Sequence, residues 1–265
     1  MNLEWFEIAL VFCFGLSFGS FANVLIYRIP HSLSLITPNS FCPHCQKSLK
    51  LKDKIPLLSF LFYRAKCPYC LAKIPFYYFF SEILGGILAI FCYVWLGIFG
   101  IILFWLLLCF YVLSVIDWHF LEIPDSLNFL NLALGVSYGI GELPANLLGI
   151  AWAESLLFAF CFMGIASFLR LFVGSFTRKE VLGEGDIIVF GTLGSALGGN
   201  GILAIFFGAS FALFVLLILK YFPNINSLAL AIPFVPFLFL FHYFPYCRVL
   251  NTSCAHKGIL VIFWD

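Results

Sequence analysis

Charged side chains are scarce in this sequence: Asp, Glu, Lys and Arg make up 10% of its 265 residues. In a soluble globular domain about a quarter of the residues are charged, so the shortage excludes an ordinary soluble protein. No nucleic-acid partner is expected. A basic region is also missing from the N-terminal stretch "MNLEW", so we expect the first apolar segment to be retained rather than cleaved as a signal peptide.

Long apolar stretches take the place of charge, with 63% hydrophobic residues and a mean hydropathy of +1.07. A membrane-spanning helix takes about 20 apolar residues. Eight stretches meet or approach this length: 6–27, 76–96, 98–116, 126–143, 147–173, 187–199, 201–220 and 228–244. Gly97 and Gly100 allow a tight turn between the second and third. The sixth is short and rich in Gly and Ala, so it should pack inside the bundle. The sequence predicts an all-α polytopic membrane protein.

Basic residues predict the orientation, because they concentrate in cytoplasmic loops. With eight spans and an outside N-terminus, 12 of the 14 basic residues lie on the cytoplasmic side. These are Arg28, Lys47, Lys50, Lys52, Lys54, Arg64, Lys66, Lys73, Arg170, Arg178, Lys179 and Lys220. The lipid bilayer is thus an expected partner, and the long loop after the first span is expected in the cytoplasm.

This loop contains two CxxC pairs, "CPHC" and "CPYC", formed by Cys42, Cys45, Cys67 and Cys70. Four thiolates in this arrangement suit a tetrahedral structural Zn²⁺ site. Disulfides are the alternative, but cytoplasmic thiols stay reduced, which favours the metal. His44 lies inside one pair and could substitute as a ligand, although four cysteines already complete the coordination.

Two acidic motifs lie at the predicted cytoplasmic ends of spans: Asp117 in "SVIDWHFLEIPD" and Asp186 in "VLGEGDIIVF". Two carboxylates that meet at one membrane depth can share a proton, which is the chemistry of aspartic proteolysis. Gly183 and Gly185 would leave room for an extended substrate backbone. The alternative is structural: Asp186 could cap the helix that follows it, as we expect of Asp125.

Several stretches together resemble the type IV prepilin peptidases, also called leader peptidases. They are, in order, "GSFANVLIYRIP" (19–30), "CPHC" (42–45), "IPLLSFL" (55–61), "CPYC" (67–70), "SEILGG" (81–86), "IDWHFLEIPD" (116–125), "GEGD" (183–186) and "IPFVPF" (232–237). The chain departs from the usual family pattern at three places. Ile188 replaces a Lys, Ala65 and Lys66 stand where a Gly commonly precedes the second CxxC, and Val235 replaces a Gly.

The resemblance implies an aspartic protease of the GxGD type, with Asp117 and Asp186 as its catalytic pair. Such enzymes remove the short basic leader from prepilins or pseudopilins at the cytoplasmic face of the bacterial inner membrane. Many also methylate the new N-terminus with S-adenosylmethionine, using the region that holds the cysteine loop. This sequence has no glycine-rich cofactor fingerprint, so methylation rests on the resemblance alone.

Three further expectations complete the sequence-based interpretation. Residues 1–75 should form the first span and the zinc loop, 76–245 the peptidase bundle, and 246–265 a tail of unassigned role. Glu122, Glu180 and Glu184 could together form an acidic rim for the basic leader, unless Glu180 simply pairs with Arg178 or Lys179. A proton-coupled transporter and a non-catalytic zinc-anchored scaffold are the rival functions.

Overall fold

The structure is a computed structural model that describes residues 5–37, 39–42, 44–142, 150–177 and 182–221. Its regular structure is helical, as predicted, apart from two isolated β-bridges in the cysteine loop. The helices are α1 (Trp5–Arg28), α2 (Leu58–Phe62), α3 (Phe76–Leu96), α4 (Gly100–Phe120), α5 (Asp125–Glu142), α6 (Ala151–Thr177), α7 (Glu184–Leu197) and α8 (Gly201–Tyr221). The chain divides into two compact units, residues 1–112 and 113–265. The predicted boundary at residue 75 stays a prediction.

In the first unit, α1 and α3 pack closely because glycines remove side chains from their interface. A methyl group added to Gly15 would collide with the carbonyl oxygen of Gly85, and one added to Gly19 would lie 2.5 Å from the Ser81 carbonyl oxygen. Next to this crossing, the buried Asn23 side chain donates a hydrogen bond to Ser81 Oγ at 2.6 Å. Small residues and an interhelical hydrogen bond are how helices associate in a bilayer.

The predicted turn between the second and third spans is confirmed. Helix α3 ends at Leu96, and Gly97 adopts a φ of +61°, which a residue with a side chain rarely takes. Gly100 then begins α4, packed against the backbone of Cys92. Each helix has 21 residues, which corresponds to a length of about 31 Å.

In the second unit, α7 packs against α5 and α6 and is buried from Val189 to Leu197, as its small residues predicted. With 14 residues it measures about 21 Å, shorter than the hydrocarbon core. Gly139 of α5 and Gly194 of α7 leave no space for a methyl group against the neighbouring backbone. Ser155 of α6 donates a hydrogen bond to the Ser195 carbonyl at 3.0 Å.

The predicted count of eight spans is not confirmed. Four stretches of the described helices are long and apolar enough to cross a membrane: Trp5–Arg28, Phe76–Phe120, Ala151–Phe176 and Glu184–Phe211. The difference arises partly because α3 with α4, and α7 with part of α8, each form one apolar stretch interrupted by a short 3₁₀ turn. The eighth predicted span, 228–244, lies outside the described residues.

Candidate functional site

Asp117 lies in the last turn of α4 and is buried, with 6% of its surface exposed. The helix ends because Leu121 adopts a φ of +53° and its N–H donates to the carbonyl oxygen of Asp117 at 2.9 Å. This left-handed residue after the helix is a common C-terminal cap, although glycine usually occupies it. The turn therefore places Asp117 just before the connection to α5.

Asp186 is the third residue of α7, and Gly183 is the residue that caps the helix. The Gly183 N–H donates a hydrogen bond to Asp186 Oδ2 at 3.0 Å. This contact satisfies a backbone donor at the start of the helix, where negative charge is also favourable. Asp186 thus has the local structural role that the sequence left open, but at the third helical position rather than as the cap. The same bond fixes the orientation of its carboxylate.

The connection between α4 and α5 packs directly against the "GEGD" turn. A methyl group added to Gly185 would lie 2.7 Å from Ile123 Cβ, so Ile123 fills the space that the glycine leaves. The buried side chain of Asn128 in α5 donates through Nδ2 to the Gly185 carbonyl at 2.8 Å. The segment that follows Asp117 and the turn that precedes Asp186 are therefore in contact. Asn128 gave no signal in the sequence.

The other predicted residues around this turn have different surroundings. Gly183 and Glu184 are exposed, and Glu184 forms an ion pair with Arg170 of α6 at 3.4 Å. Asp125 begins α5 and is exposed, as expected of a residue at a helix start. Glu180 lies outside the described residues. Ile188 follows Asp186 by two helical positions, about 200° around the helix, so a lysine there would not face Asp186.

The four loop cysteines come together, with their sulfur atoms all within 4.8 Å of one another. The two CxxC segments form equivalent hydrogen bonds. The N–H of Gln46 donates to the Cys42 carbonyl at 2.8 Å, and the N–H of Leu71 to the Cys67 carbonyl at 3.0 Å. Gln46 and Leu71 both adopt positive φ, of +57° and +60°. Each pair is therefore a tight turn that points two sulfur atoms inward.

This sulfur geometry fits a metal ion. Tetrahedral zinc has Zn–S distances of about 2.3 Å, which puts the sulfur atoms about 3.8 Å apart. Cys42 and Cys70 Sγ lie 3.8 Å apart, and none of the described cysteines is in a disulfide. Burial opposes ionisation of Cys67, but hydrogen bonds from the backbone N–H groups of Cys70 and Tyr69, together with those of the Cys42 and Cys70 thiols, lower its pKa to about 7. His44 is exposed and outside this group. The four cysteines can therefore bind a metal.

Asp53 supports the cysteine loop and was not singled out from the sequence. Its carboxylate accepts hydrogen bonds from Tyr63 at 2.8 Å, Tyr69 at 3.1 Å and the Lys50 N–H at 3.1 Å. The Tyr63 hydroxyl is the main reason that the pKa of Asp53 lies below its usual value. Because Tyr69 lies between Cys67 and Cys70, Asp53 ties the second CxxC turn to the rest of the loop.

A cavity of about 360 Å³ lies in the first unit, between the cysteine loop and the facing ends of α1 and α3. Its lining includes four tyrosines, Tyr27, Tyr63, Tyr77 and Tyr78, and the carboxylates of Asp53 and Glu82. Cys42 and Cys67 also line it, so the cavity borders the cysteine cluster. The size falls within the range of small-molecule sites.

Two family models match successive parts of this chain. Residues 13–96 match the bacterial peptidase A24 N-terminal domain, and residues 101–218 match the type IV leader peptidase family. The chain belongs to the type IV leader peptidase family. No solved structure shows a significant match.

Several relatives are named for two activities, peptidase and N-methyltransferase. A prepilin leader peptidase/N-methyltransferase from Bacillus subtilis is 34% identical over 76% of this chain and 77% of its own length. Proteins of the same name from Legionella pneumophila and Vibrio cholerae are 29% and 30% identical. These matches cover 100% and 80% of this chain, and 93% and 86% of the relatives.

Proposed function

We propose that this chain is a prepilin leader peptidase that uses Asp117 and Asp186 as an aspartic pair. The observation that carries the proposal is the packing of the α4–α5 connection against the Asp186 turn, through Ile123 and Asn128 on Gly185. It links the two acidic motifs within one unit of a chain that belongs to the peptidase family. We assign it to the bacterial inner membrane as a multi-pass protein, with this site facing the cytoplasm.

The pair works with one proton between its two carboxyl groups. The ionised carboxylate takes a proton from a water molecule, whose oxygen then attacks the carbonyl carbon of the scissile peptide. The protonated carboxyl gives its proton to the carbonyl oxygen, and a proton returned to the amide nitrogen releases the new N-terminal amine. The substrate is a prepilin or pseudopilin helix with a short basic leader. Gly183, Gly185, Glu184 and Glu180 are the residues proposed to bind it.

Cleavage of a synthetic prepilin by the detergent-solubilised protein tests this proposal. Asp117→Asn and Asp186→Asn should each abolish the loss of the leader mass while leaving membrane insertion intact. Asp125→Asn is the matched control, because Asp125 is an exposed residue of the same motif and loses at most a capping contribution of about 1 kcal/mol. Appreciable cleavage by either of the first two variants would remove that residue from the mechanism. A wild-type chain that leaves the prepilin intact would favour the transporter or the scaffold.

Methylation of the new N-terminus is the second proposed activity, with S-adenosylmethionine as the methyl donor. It is supported by the cavity next to the cysteine site, within the segment that matches the N-terminal domain of the family. The donor supplies an activated methyl group, and the amine of the processed pilin accepts it after giving up a proton. Tyrosines, carboxylates and Lys54 and Lys73 along the cavity suit a ligand with both charged and aromatic parts.

We assign the metal to Zn²⁺ in a structural role, since four thiolates complete a tetrahedral shell and leave no position for a substrate. Elemental analysis of the purified protein should find one zinc per chain. Transfer of a labelled methyl group from the donor to a processed pilin peptide tests the second activity. A chain that cleaves the prepilin but transfers no methyl group would restrict the function to the peptidase.

A further inference from the structure

Glu82 stands out among the residues that line the cavity beside the cysteine site. Its Oε1 accepts a hydrogen bond from Ser20 Oγ, and its Oε2 accepts one from the Leu57 N–H, both at 2.8 Å. Both donors are neutral. Within the described part of the chain, no Lys, Arg or His forms an ion pair with Glu82, although Arg28, His44, Lys54 and Lys73 line the same cavity. Because Glu82 is half-buried and has no cationic partner, a positively charged ligand could neutralise its charge.

Aromatic rings surround the same cavity. Tyr77 and Tyr78 stack with their ring centroids 4.4 Å apart, and Tyr27 and Tyr63 also line the space. The faces of aromatic rings attract organic cations, and cages of such rings bind methylated ammonium groups. The cavity therefore combines the two kinds of group that bind an organic cation: ring faces and a carboxylate.

We propose that Glu82 and the tyrosines of this cavity bind the organic cation of the methyl-transfer reaction. That cation is either the sulfonium of the methyl donor or the α-ammonium group of the processed pilin. The proposal rests on the methyltransferase activity proposed above and assigns the residues that would recognise its charged group. Glu82 acts here as a binding residue.

A purely structural role for Glu82 has its own support. Leu57 adopts a φ of +58° in a tight three-residue turn, in which the Leu58 N–H donates to the Pro56 carbonyl at 2.6 Å. Such a turn is strained, and Glu82 anchors it through the Leu57 N–H. The experiment must therefore separate the charge of Glu82 from its hydrogen bonds. Glu82→Gln does so, because the amide keeps an oxygen for the Leu57 N–H but carries no charge.

A matched control comes from the opposite ends of the same two helices. There Glu7 of α1 accepts a hydrogen bond from the hydroxyl of Tyr93 in α3 at 3.1 Å, outside the cavity lining. Calorimetry on the full-length chain in detergent should compare Glu82→Gln and Glu7→Gln for two probes, S-adenosylmethionine and S-adenosylhomocysteine. The second lacks only the methyl group and thus the sulfonium charge. The Michaelis constant for a processed pilin peptide provides the other measurement.

Two results would support the assignment. If Glu82 meets the sulfonium, Glu82→Gln weakens binding of S-adenosylmethionine about tenfold and leaves S-adenosylhomocysteine nearly unchanged. If Glu82 meets the ammonium group, both donor affinities stay near wild type and KM for the peptide rises about tenfold. Glu7→Gln should behave as wild type in each case.

Two results would overturn it. The first is a Glu82→Gln variant with wild-type affinity for both donor probes and wild-type KM for the peptide. The second is an equal loss of affinity for both donor probes, which would indicate damaged structure. An exposed ring provides a second variant should Glu82→Gln not fold. Tyr77→Leu should weaken binding of the same cation, whereas Tyr77→Phe should not, since only the face of the ring is needed. Identical effects of the two variants would count against a role for the tyrosine rings in binding the cation. A wild-type chain that binds neither probe and methylates no peptide would instead refute the methyltransferase proposal itself.

Discussion

The contact between Gly185 and Ile123 makes a sharp prediction about the peptidase. In Gly185→Ala the new methyl group would lie 2.7 Å from Ile123 Cβ, 3.1 Å from its Cδ1 and 3.2 Å from its Cγ2. Ordinary van der Waals contact begins at 3.4 Å, so the two segments must separate by about 0.7 Å. Ile123 Cβ is close to the backbone and cannot move away by changing rotamer. The separation therefore has to come from the backbone of the turn or of the connection.

The predicted cost follows from this displacement. Overpacking of this kind typically destabilises by about 1–3 kcal/mol, which the fold should survive. Activity should suffer more, because Gly185 precedes Asp186, and a misplacement of about 1 Å can cost roughly a hundredfold in rate. We expect kcat/KM for a synthetic prepilin to fall between about tenfold and a hundredfold, and the unfolding temperature to fall by roughly 2–10 °C.

Two further variants make this prediction refutable. Gly164→Ala in α6 is the control, because a methyl group there meets nothing within 4 Å. Ile123→Gly removes the colliding carbon, so the double variant Gly185→Ala, Ile123→Gly should recover activity relative to Gly185→Ala alone. A Gly185→Ala enzyme with wild-type kcat/KM would show that this packing does not position Asp186. A double variant without recovery would show that the collision with Ile123 is not the cause of the lost activity.

Three other predictions concern the first unit and the rim of the site. Cys67→Ser should lose the metal by elemental analysis and make the loop sensitive to proteases, because ligand thiolates couple metal binding to folding; a metal-free loop that stays protected would contradict this. Asp53→Asn should speed the loss of zinc to a chelator, since the Tyr69 hydroxyl and the Lys50 N–H lose a hydrogen-bond acceptor. If the variant retained zinc as long as wild type, Asp53 would not stabilise the metal site. Glu184→Gln should change the free energy of unfolding by less than about 1 kcal/mol, because its ion pair with Arg170 is exposed. If Glu184 belongs to an acidic rim, the variant should have a higher KM for basic leaders than wild type at low salt, and this difference should disappear at high salt. An unchanged KM would reject the rim.

Local sequence patterns predicted most of the helices correctly. Apolar length located seven of the helices, and the glycines at 97 and 100 indicated the turn between α3 and α4 correctly. The number of spans was harder to predict, because the 3₁₀ turns at Gly97–Phe99 and Gly198–Asn200 interrupt apolar stretches without adding charged residues. Hydropathy alone cannot decide whether such a stretch crosses the membrane once or twice.

The metal site was predictable for a similar reason. A CxxC turn defines its own sulfur geometry, so two of them within one loop predict a four-sulfur cluster. The loop around them was not predictable. Asp53, Tyr63 and Tyr69 meet only after the loop has folded, because no single helix or strand contains any two of them.

The acidic residues differ in how far their roles can be predicted from the sequence. Asp117 and Asp186 stand beside sharp breaks in the apolar pattern, where a carboxylate is conspicuous. Glu82 lies inside the matched stretch "SEILGG" and looked like one more feature of a helix. Its importance depends on Ser20 and Leu57, which are 62 and 25 residues away, and on the glycine-mediated approach of α1 to α3. An acid whose surroundings come from distant segments can be recognised only once the helices are packed.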